Sequence, residues 1–572
     1  MNINFTHSLP YGHAAADKLH LSSLGRISLI LVMLFGALTP SSALAGFRVA
    51  FVDELTPLYP DSRINEVALQ EPIVLDAARG TFAGVHILVK DLRPNEPLNV
   101  EVRKSKRWPS ESVDIYQLLS VPVEINSGLL SRTEKWDGQF NPYVIRRAPF
   151  RVHDVMKPIK SRIDVDDSVA AIAFEVKVPR DMEPGEYGLE VILRADTERI
   201  VRHLTIRVHS AVVPQIGKNT MCYTCWFSEK NMLWGTHDTL WSAAFWRILN
   251  RYASLMALGR QNTFRLPLDF GSTSSGQYLL DTARMGRTIS IFQKHGFYYV
   301  EGGPFLTSKG NHLITGGGFP VRNSRGTAEL VSTLDQLHDF IEREHLEGRW
   351  FQHIQDEPGP NLDSDYIFVA RLIHEKLPGV RVLEAGDNRD LVGAIDVWCP
   401  TDDQYQEHRE FYMGRQNDGN ECWVYTCLTP TGPWINRLLD MERLRPVYIG
   451  WGAALFGTSG FLHWGLNQYY ANPFKQSVVD HPDAPHTNDQ LPAGDPYIVY
   501  PGPGEPWPSV RFEALRIGLE DRELLRQLDE KDPKLCRMII QQVFRSYDEY
   551  NKSVKVYRAT KLRLLDALDS AE

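Results

Sequence analysis

Asp356 and Glu357 stand side by side in RWFQHIQDEPGP (residues 349–360), behind an apolar run and directly in front of Pro358. Burying two like charges together is costly and pushes one of the two carboxyl pKa values up. One reading is an ordinary exit from a strand, since Asp, Pro and Gly are common turn residues. The other is a catalytic pair. Two carboxylates in a cleft suggest glycoside hydrolysis, in which ordinary retaining enzymes set an acid and a nucleophile about 5–5.5 Å apart on opposite sides of the bond. Adjacent residues on a strand point to opposite faces, so Asp356 and Glu357 do not face each other across one anomeric carbon. They fit a different division of labour. One carboxylic acid protonates the leaving oxygen, while its neighbour holds a 2-acetamido group whose carbonyl oxygen attacks the anomeric carbon to give an oxazolinium.

The elements around the pair decide where it sits. From residue 214 the pattern runs strand, helix, strand: MCYTCWF, NTFRLPLD, FYYVEGGPF, RWFQHIQDEP, VRVLEAGD, IDVWCP, ECWVYTCL and GFLHWGLNQYY are strand-like. Helical stretches are expected over 241–258, 280–295, 328–345, 366–376, around 406–412, and from 434 toward 455. Eight strands with intervening helices predict a (β/α)8 barrel over residues 214–528. The connection 388–394 is too short for a full helix. In such barrels the active site lies at the C-terminal strand ends, here Asp269, Gly302-Gly303, Asp356-Glu357, Asp387, Trp398, Tyr425 and His463-Trp464-Asn467. Carboxylates, an amide, an imidazole and aromatic faces suit a sugar ring.

Residues 46–213 read as short alternating strands (FRVAFV, GVHILVKDL, AAIAFEVKV, YGLEVILRA, HLTIRVHS) separated by turns, the signature of an antiparallel β-sandwich. Asp164 to Asp167 is expected to be a solvated turn rather than a calcium loop. The Pro- and Gly-rich stretch 471–508 is expected to wall the pocket, with His481 and His486 solvated. Residues 509–528 begin an amphipathic helix whose Glu513, Arg516, Glu520, Arg522 and Glu523 read as a solvated face with local ion pairs. Residues 529–572 continue as helices packed on the barrel.

Residues 1–45 read as an export signal. Lys18 and Arg26 precede the apolar run 27–38, which is too short to span a bilayer, and Ala43-Leu44-Ala45 offers a cleavage pattern. Cleavage would take the formal charge from −9 to −10. A mildly acidic chain without a basic block argues against a nucleic-acid partner, and no later segment is apolar enough for stable membrane insertion. The expected location is periplasmic or extracellular. Six cysteines do not make a disulfide scaffold. Cys222 and Cys225 are expected as small buried side chains, and a Cys422–Cys427 disulfide is geometrically open. No cofactor or metal is expected. There is no Walker-type loop, and Gly316-Gly317-Gly318 lacks the strand and helix that a phosphate loop requires.

HIQDEP, GFLHWGLNQYY, GDPYIVYP and SVRFEALRIGLEDRELL resemble, in that order, the catalytic part of glycoside hydrolase family 123. LDAARGTFAGVHILVKDL and VPRDMEPGEYGLEVILRA resemble that family's β-sandwich. The resemblance implies an exo-acting β-N-acetylgalactosaminidase with substrate-assisted retention, acting on a glycan or glycoconjugate. It implies that Asp356 orients the acetamido N–H and stays ionised. Glu357, with a raised pKa, would be general acid and then base. His353 would tune Glu357 by strand alternation, Trp464 would be a wall and Asn467 a hydroxyl ligand. His463, Tyr425 and Trp398 complete the expected set. Two rivals stay open: a glycosidase on a non-acetamido sugar with Asp387 or Asp269 as nucleophile, and a non-catalytic carbohydrate-binding protein.

Overall fold

The computed structural model describes residues 46–105, 108, 113–165, 167–272 and 278–570. The expected export signal and Asp166 of the acidic turn lie outside them. Residues 46–572 form one compact unit.

Its N-terminal part holds strands β1 (Arg48–Val52), β2 (Ile73–Arg79), β3 (Phe82–Lys90), β4 (Leu98–Lys104), β5 (Val113–Val123), β6 (Phe150–Ile159), β7 (Arg162–Ile163), β8 (Val169–Lys177), β9 (Gly185–Ala195) and β10 (Glu198–Val212). They make two five-stranded sheets, β1-β3-β8-β5-β6 and β2-β10-β9-β4-β7. Pairing is antiparallel except between β10 and β2, which run parallel. Val85, Ile87, Ile172 and Phe174 of one sheet meet Val191, Leu193, Leu204 and Ile206 of the other. The alternation does not continue outwards on the first sheet, because its second face is also covered. Small side chains there, Ala50, Ala171 and Ala173, pack with Val510.

The barrel strands are β11 (Cys222–Cys225), β12 (Thr263–Leu266), β13 (Tyr299–Gly302), β14 (Trp350–Gln352), β15 (Arg381–Ala385), β16 (Val397–Cys399), β17 (Glu421–Tyr425) and β18 (Gly460–His463). All neighbours are parallel, and β11 pairs with β18 to bring the eighth strand back to the first. Between β11 and β12 the backbone ladder is replaced by a side-chain bridge, Tyr223 N donating to Asn262 Oδ1 at 3.0 Å. Phe351, Leu383, Val397, Trp423 and Leu462 fill the lumen, so the centre is packed core and not a pore.

Helices α1 (Ala243–Leu258), α2 (Thr282–Lys294), α3 (Ser324–Arg343), α4 (Asp363–Lys376), α5 (Asp402–Glu407), α6 (Arg409–Asn417) and α7 (Leu444–Phe456) surround the strands. α1 starts where the Ser242 side chain accepts from Phe245 N, and it buries Phe245, Leu249, Tyr252 and Met256 at helical spacing. The helix expected from 434 begins only at Leu444. Residues 434–443 instead run as irregular buried chain, tied down by contacts such as Leu439 N to Ala493 O, 2.9 Å.

α8 (Val510–Lys531), α9 (Pro533–Ile540) and α10 (Val554–Asp569) close the chain. α8 does not present a solvated charged face. It is wedged between sandwich and barrel, and Glu513, Arg516, Glu520 and Glu523 are buried. Arg516 pairs with Glu175 of the sandwich and Glu513 of its own helix, and Arg511 donates to Asp154 at 3.0 Å. α8 crosses α7 backbone to backbone, since a Cβ at Gly450 would lie 1.9 Å from Gly518 O. The stretch 471–508 also differs from its expected role as a pocket wall. Tyr497 and Tyr500 are buried with Val121, Phe150 and Val152 of the sandwich, so most of it is mortar between the two parts. All six cysteines are free thiols, Cys422 and Cys427 included.

Candidate active site

β14 ends at Gln352, four residues before Asp356. The exit is held by Gln352, whose Nε2 donates to the carbonyls of Gly302, Gly303 and His353 at 2.8–3.2 Å. Gly302 is required beside it, because a Cβ there would meet Gln352 Oε1 at 2.5 Å. From Ile354 the chain bends, and Glu357 adopts a left-handed φ of 48°. A non-glycine residue held there is strained, and such strain gathers at functional sites. Strand alternation therefore does not reach Glu357, and His353 does not face it.

His353 is instead the centre of a buried triad. Its Nε2 lies 2.8 Å from Glu301 Oε1 and its Nδ1 3.4 Å from Glu384 Oε1. Burial opposes its charge, but the hydrogen bonds and attraction of the two carboxylates win and carry its pKa up to about 10. Both ring nitrogens of the resulting imidazolium donate. Glu301 also accepts from Trp226 Nε1 at 2.6 Å and from the Thr224 hydroxyl. Glu384 accepts from Tyr366 OH at 2.7 Å. Over the Trp226 ring, at 4.6 Å, lies the Arg265 guanidinium.

Asp356 sits beside this triad, exposed to solvent yet closely surrounded by protein. That enclosure pushes its pKa up to about 6. Glu384 and Glu357 add to the rise, while His353 and Arg265 oppose it. The expectation placed the raised carboxyl at Glu357 and kept Asp356 ionised. The structure puts a raised pKa on Asp356, chiefly because the surrounding protein disfavours its charged form, with Glu384 and Glu357 adding to it. Glu357 has a separate partner, Tyr425, whose OH donates to its Oε1 at 2.6 Å.

The remaining expected residues divide. Trp464 stands at the barrel mouth, its Nε1 donating to Asp495 Oδ1 at 3.3 Å, with the exposed Tyr470 ring 6.4 Å away. These two make an aromatic rim. Burial raises Asp495 to about 7 against the pull of Arg437. His463 is fully buried, its Nε2 3.6 Å from the same Asp495 Oδ1, with Arg437 Nη2 2.6 Å from its Nδ1 and Gly465 N donating to that atom. Burial, with Arg437 and Arg511, drives its pKa well below the ordinary value. Asn467 is not free to bind a hydroxyl. Its Oδ1 accepts from Ser228 N at 2.7 Å and its Nδ2 donates to Ser228 O at 3.1 Å, so it pins the loop after β11. Trp398 faces outwards, packed on Phe411 and Tyr412 at 5.3 and 6.4 Å, and takes no place at the mouth.

Of the two distant carboxylates, Asp387 accepts from Tyr412 OH at 2.6 Å and Asp269 from Arg284 Nη1 at 3.1 Å. Trp226, Arg265, Glu301, Glu384 and Asp495 were not singled out from sequence. The first three lie at the C-terminal ends of β11, β12 and β13, where the barrel rule points. Among the described residues, the group that fits a metal's ligand set is His209, Asp566 and Asp569, in the sandwich and α10. There the His209 nitrogens are already taken by Asp569 and Asp76.

Residues 320–528 match the family model described as the catalytic domain of glycoside hydrolase 123. A search of the curated proteins finds no match. Among solved structures, a family 123 glycoside hydrolase from Clostridium perfringens, studied for glycolipid glycan hydrolysis, is similar at 14% identity and a TM-score of 0.70, over 92% of this chain and 98% of that one. An endo-β-1,4-mannanase from Thermotoga petrophila is similar at 10% identity and a TM-score of 0.33, over 54% of this chain and 77% of that one. The second likeness is too slight to carry an argument. The first fixes the architecture of a (β/α)8 barrel behind a β-sandwich domain.

Proposed function

We propose that this glycoside hydrolase, family 123-like in its barrel, removes terminal β-linked N-acetylhexosamine, N-acetylgalactosamine foremost, with retention and through an oxazolinium. The observation that carries the reading is the adjacent pair at the mouth of a barrel matching a glycoside hydrolase catalytic domain. Asp356 and Glu357 lie on one bent segment, one carboxyl beside the imidazolium triad and the other on Tyr425.

In the first step the acetamido carbonyl oxygen attacks the anomeric carbon, and the glycosidic C–O bond breaks. Glu357 gives its proton to the departing oxygen. The Asp356 carboxylate accepts the acetamido N–H, which strengthens the carbonyl oxygen as a nucleophile. In the second step Glu357 takes a proton from water as the water oxygen attacks the anomeric carbon and opens the oxazolinium ring. Two inversions give net retention. Fixed charge serves this chemistry because the Asp356 carboxylate, already in place on the acetamido N–H, opposes the positive charge as the oxazolinium forms. Trp464 and Tyr470 would receive the apolar face of the sugar.

Export, read from residues 1–45, would bring the enzyme to glycans in the periplasm or outside the cell. No helix among the described residues is long and apolar enough to cross a membrane.

A thiazoline analogue of the cyclised N-acetylgalactosamine mimics the oxazolinium. Competitive inhibition by it, with a β-configured first product by NMR, supports the mechanism. An α-configured first product, or indifference to the thiazoline, overturns it.

A further inference from the structure

At the end of the barrel opposite the dyad, α1 and α2 terminate against the sandwich around a cleft of about 1000 Å³. Five cationic side chains line it: Lys177 and Arg180 from the sandwich, Arg251, Arg260 and Lys294 from the barrel helices and their ends. The lining carboxylates are Asp181, Glu505 and Glu520. In a chain of net charge −9, this concentration of cations is local and constructed.

The construction is visible in how the arginines are held. Arg180 Nε donates to Val213 O at 2.9 Å and Arg260 Nη1 to Pro214 O at 3.2 Å. Two successive carbonyls of the interdomain linker thus set one guanidinium from each part side by side. Gly80, at φ 81°, makes room, since a Cβ there would lie 2.8 Å from Arg180 Cγ. Among the described residues, no carboxylate comes within ion-pair distance of Arg180, Arg260, Lys177 or Lys294, and Arg251 reaches Glu505 only at 3.9 Å. Arg260 is 7% exposed, and its Nη2 has no hydrogen-bond partner. Burial lowers the pKa of both arginines, Arg180 further opposes the charge of Arg260, and Glu520 attracts each of them. A buried arginine is ordinarily paired with a carboxylate, and setting the buried Arg260 beside the half-buried Arg180 is costly. A planar fork of N–H donors matches the oxygens of sulfate, phosphate or carboxylate.

We propose that this cleft is a second binding site, for an oxyanion group (sulfate, phosphate or carboxylate) free or carried on an acidic oligosaccharide. It goes beyond the reaction at the dyad and does not rest on it.

Isothermal titration calorimetry of the full chain tests it with inorganic sulfate and with a sulfated, heparin-derived hexasaccharide. The expected result is binding of at least one probe in the millimolar range or tighter. Arg180→Gln should weaken it about tenfold, as for loss of one charge-assisted hydrogen-bonding partner. Tighter binding of the hexasaccharide assigns a glycan-borne group, and equal or tighter binding of sulfate assigns the free ion. If Arg180→Gln does not fold, the exposed Lys177→Gln/Lys294→Gln double variant takes its place and should weaken binding several-fold with an unchanged melting temperature. Absence of heat with either probe, or binding that the folded variant leaves unchanged, overturns the proposal.

Discussion

Tyr425 OH and Glu357 Oε1 are 2.6 Å apart across the barrel mouth, which ties the end of β17 to a glutamate in left-handed backbone conformation. The hydrogen bond holds the Glu357 carboxyl on β17 while Asp356 lies beside the His353 triad, so that neighbours in sequence have different partners. Adjacent carboxylates can therefore serve as two tools.

Tyr425→Phe keeps the ring and removes this donor. A hydrogen bond to a charged group contributes about 1.5–3 kcal/mol, so kcat/KM should fall roughly 10- to 100-fold with the melting temperature little changed. A variant as active as the wild type would show that the bond does not position Glu357.

The raised Asp356 sets a pH dependence. With a pKa of about 6 against an ordinary 3.8, the carboxylate that orients the acetamido group is lost as pH falls through about 6. The kcat/KM profile should bend downward on its acid side near there, and Asp356→Asn should abolish that bend along with most activity. The same shift predicts stability. Because the folded pKa is the higher one, Asp356 favours the fold most below pH 3.8, and that contribution is lost as pH rises through about 6. Asp356→Asn should raise the melting temperature at pH 8 and not at pH 4. A higher melting temperature at both pH values would contradict the assignment.

Asn467 separates a structural from a ligand role. Its amide bonds both backbone groups of Ser228; Ser228 O keeps Met232 N as a donor, so Asn467→Ala leaves the half-buried Ser228 N unpaired and should cost about 1–3 kcal/mol of stability. A chemical denaturation curve reads this directly. A raised KM without any loss of stability would restore Asn467 as a sugar ligand.

Arg516 tests the seam between the two parts. It is buried between Glu175 and Glu513, and Arg516→Met strands both carboxylates, for an expected loss of about 3–5 kcal/mol. The same loss should shrink when Glu175→Gln is combined with it. Independent, additive effects would mean that the pair is not coupled.

The barrel was legible because each strand is a short β-rich run followed by a helical period, and strand ends are where side chains meet. What the sequence hid depends on contacts between distant segments. The α8 charges look solvated by helical spacing alone, and only the approach of Glu175 and Asp154 from the sandwich shows them buried. Asn467 and His463 sit in a motif at a strand end, yet both amide groups and the ring Nδ1 are used by the backbone and Arg437. His353 was chosen by an alternation that stops one residue before it. Its real partners, Glu301 and Glu384, come from the neighbouring strands. Trp398 obeys strand position but faces the helices, since a three-residue strand gives little pattern from which to tell its faces.

The most direct measurement is release of nitrophenol from the β-N-acetylgalactosaminide, the β-N-acetylglucosaminide and the β-galactoside, by wild type and Glu357→Gln. The account predicts hydrolysis confined to an acetamido sugar, falling about 10²- to 10⁴-fold in the variant, the range for loss of a general acid. Hydrolysis of the plain β-galactoside at a comparable rate would contradict it, because the nucleophile would then belong to the protein and not to the substrate.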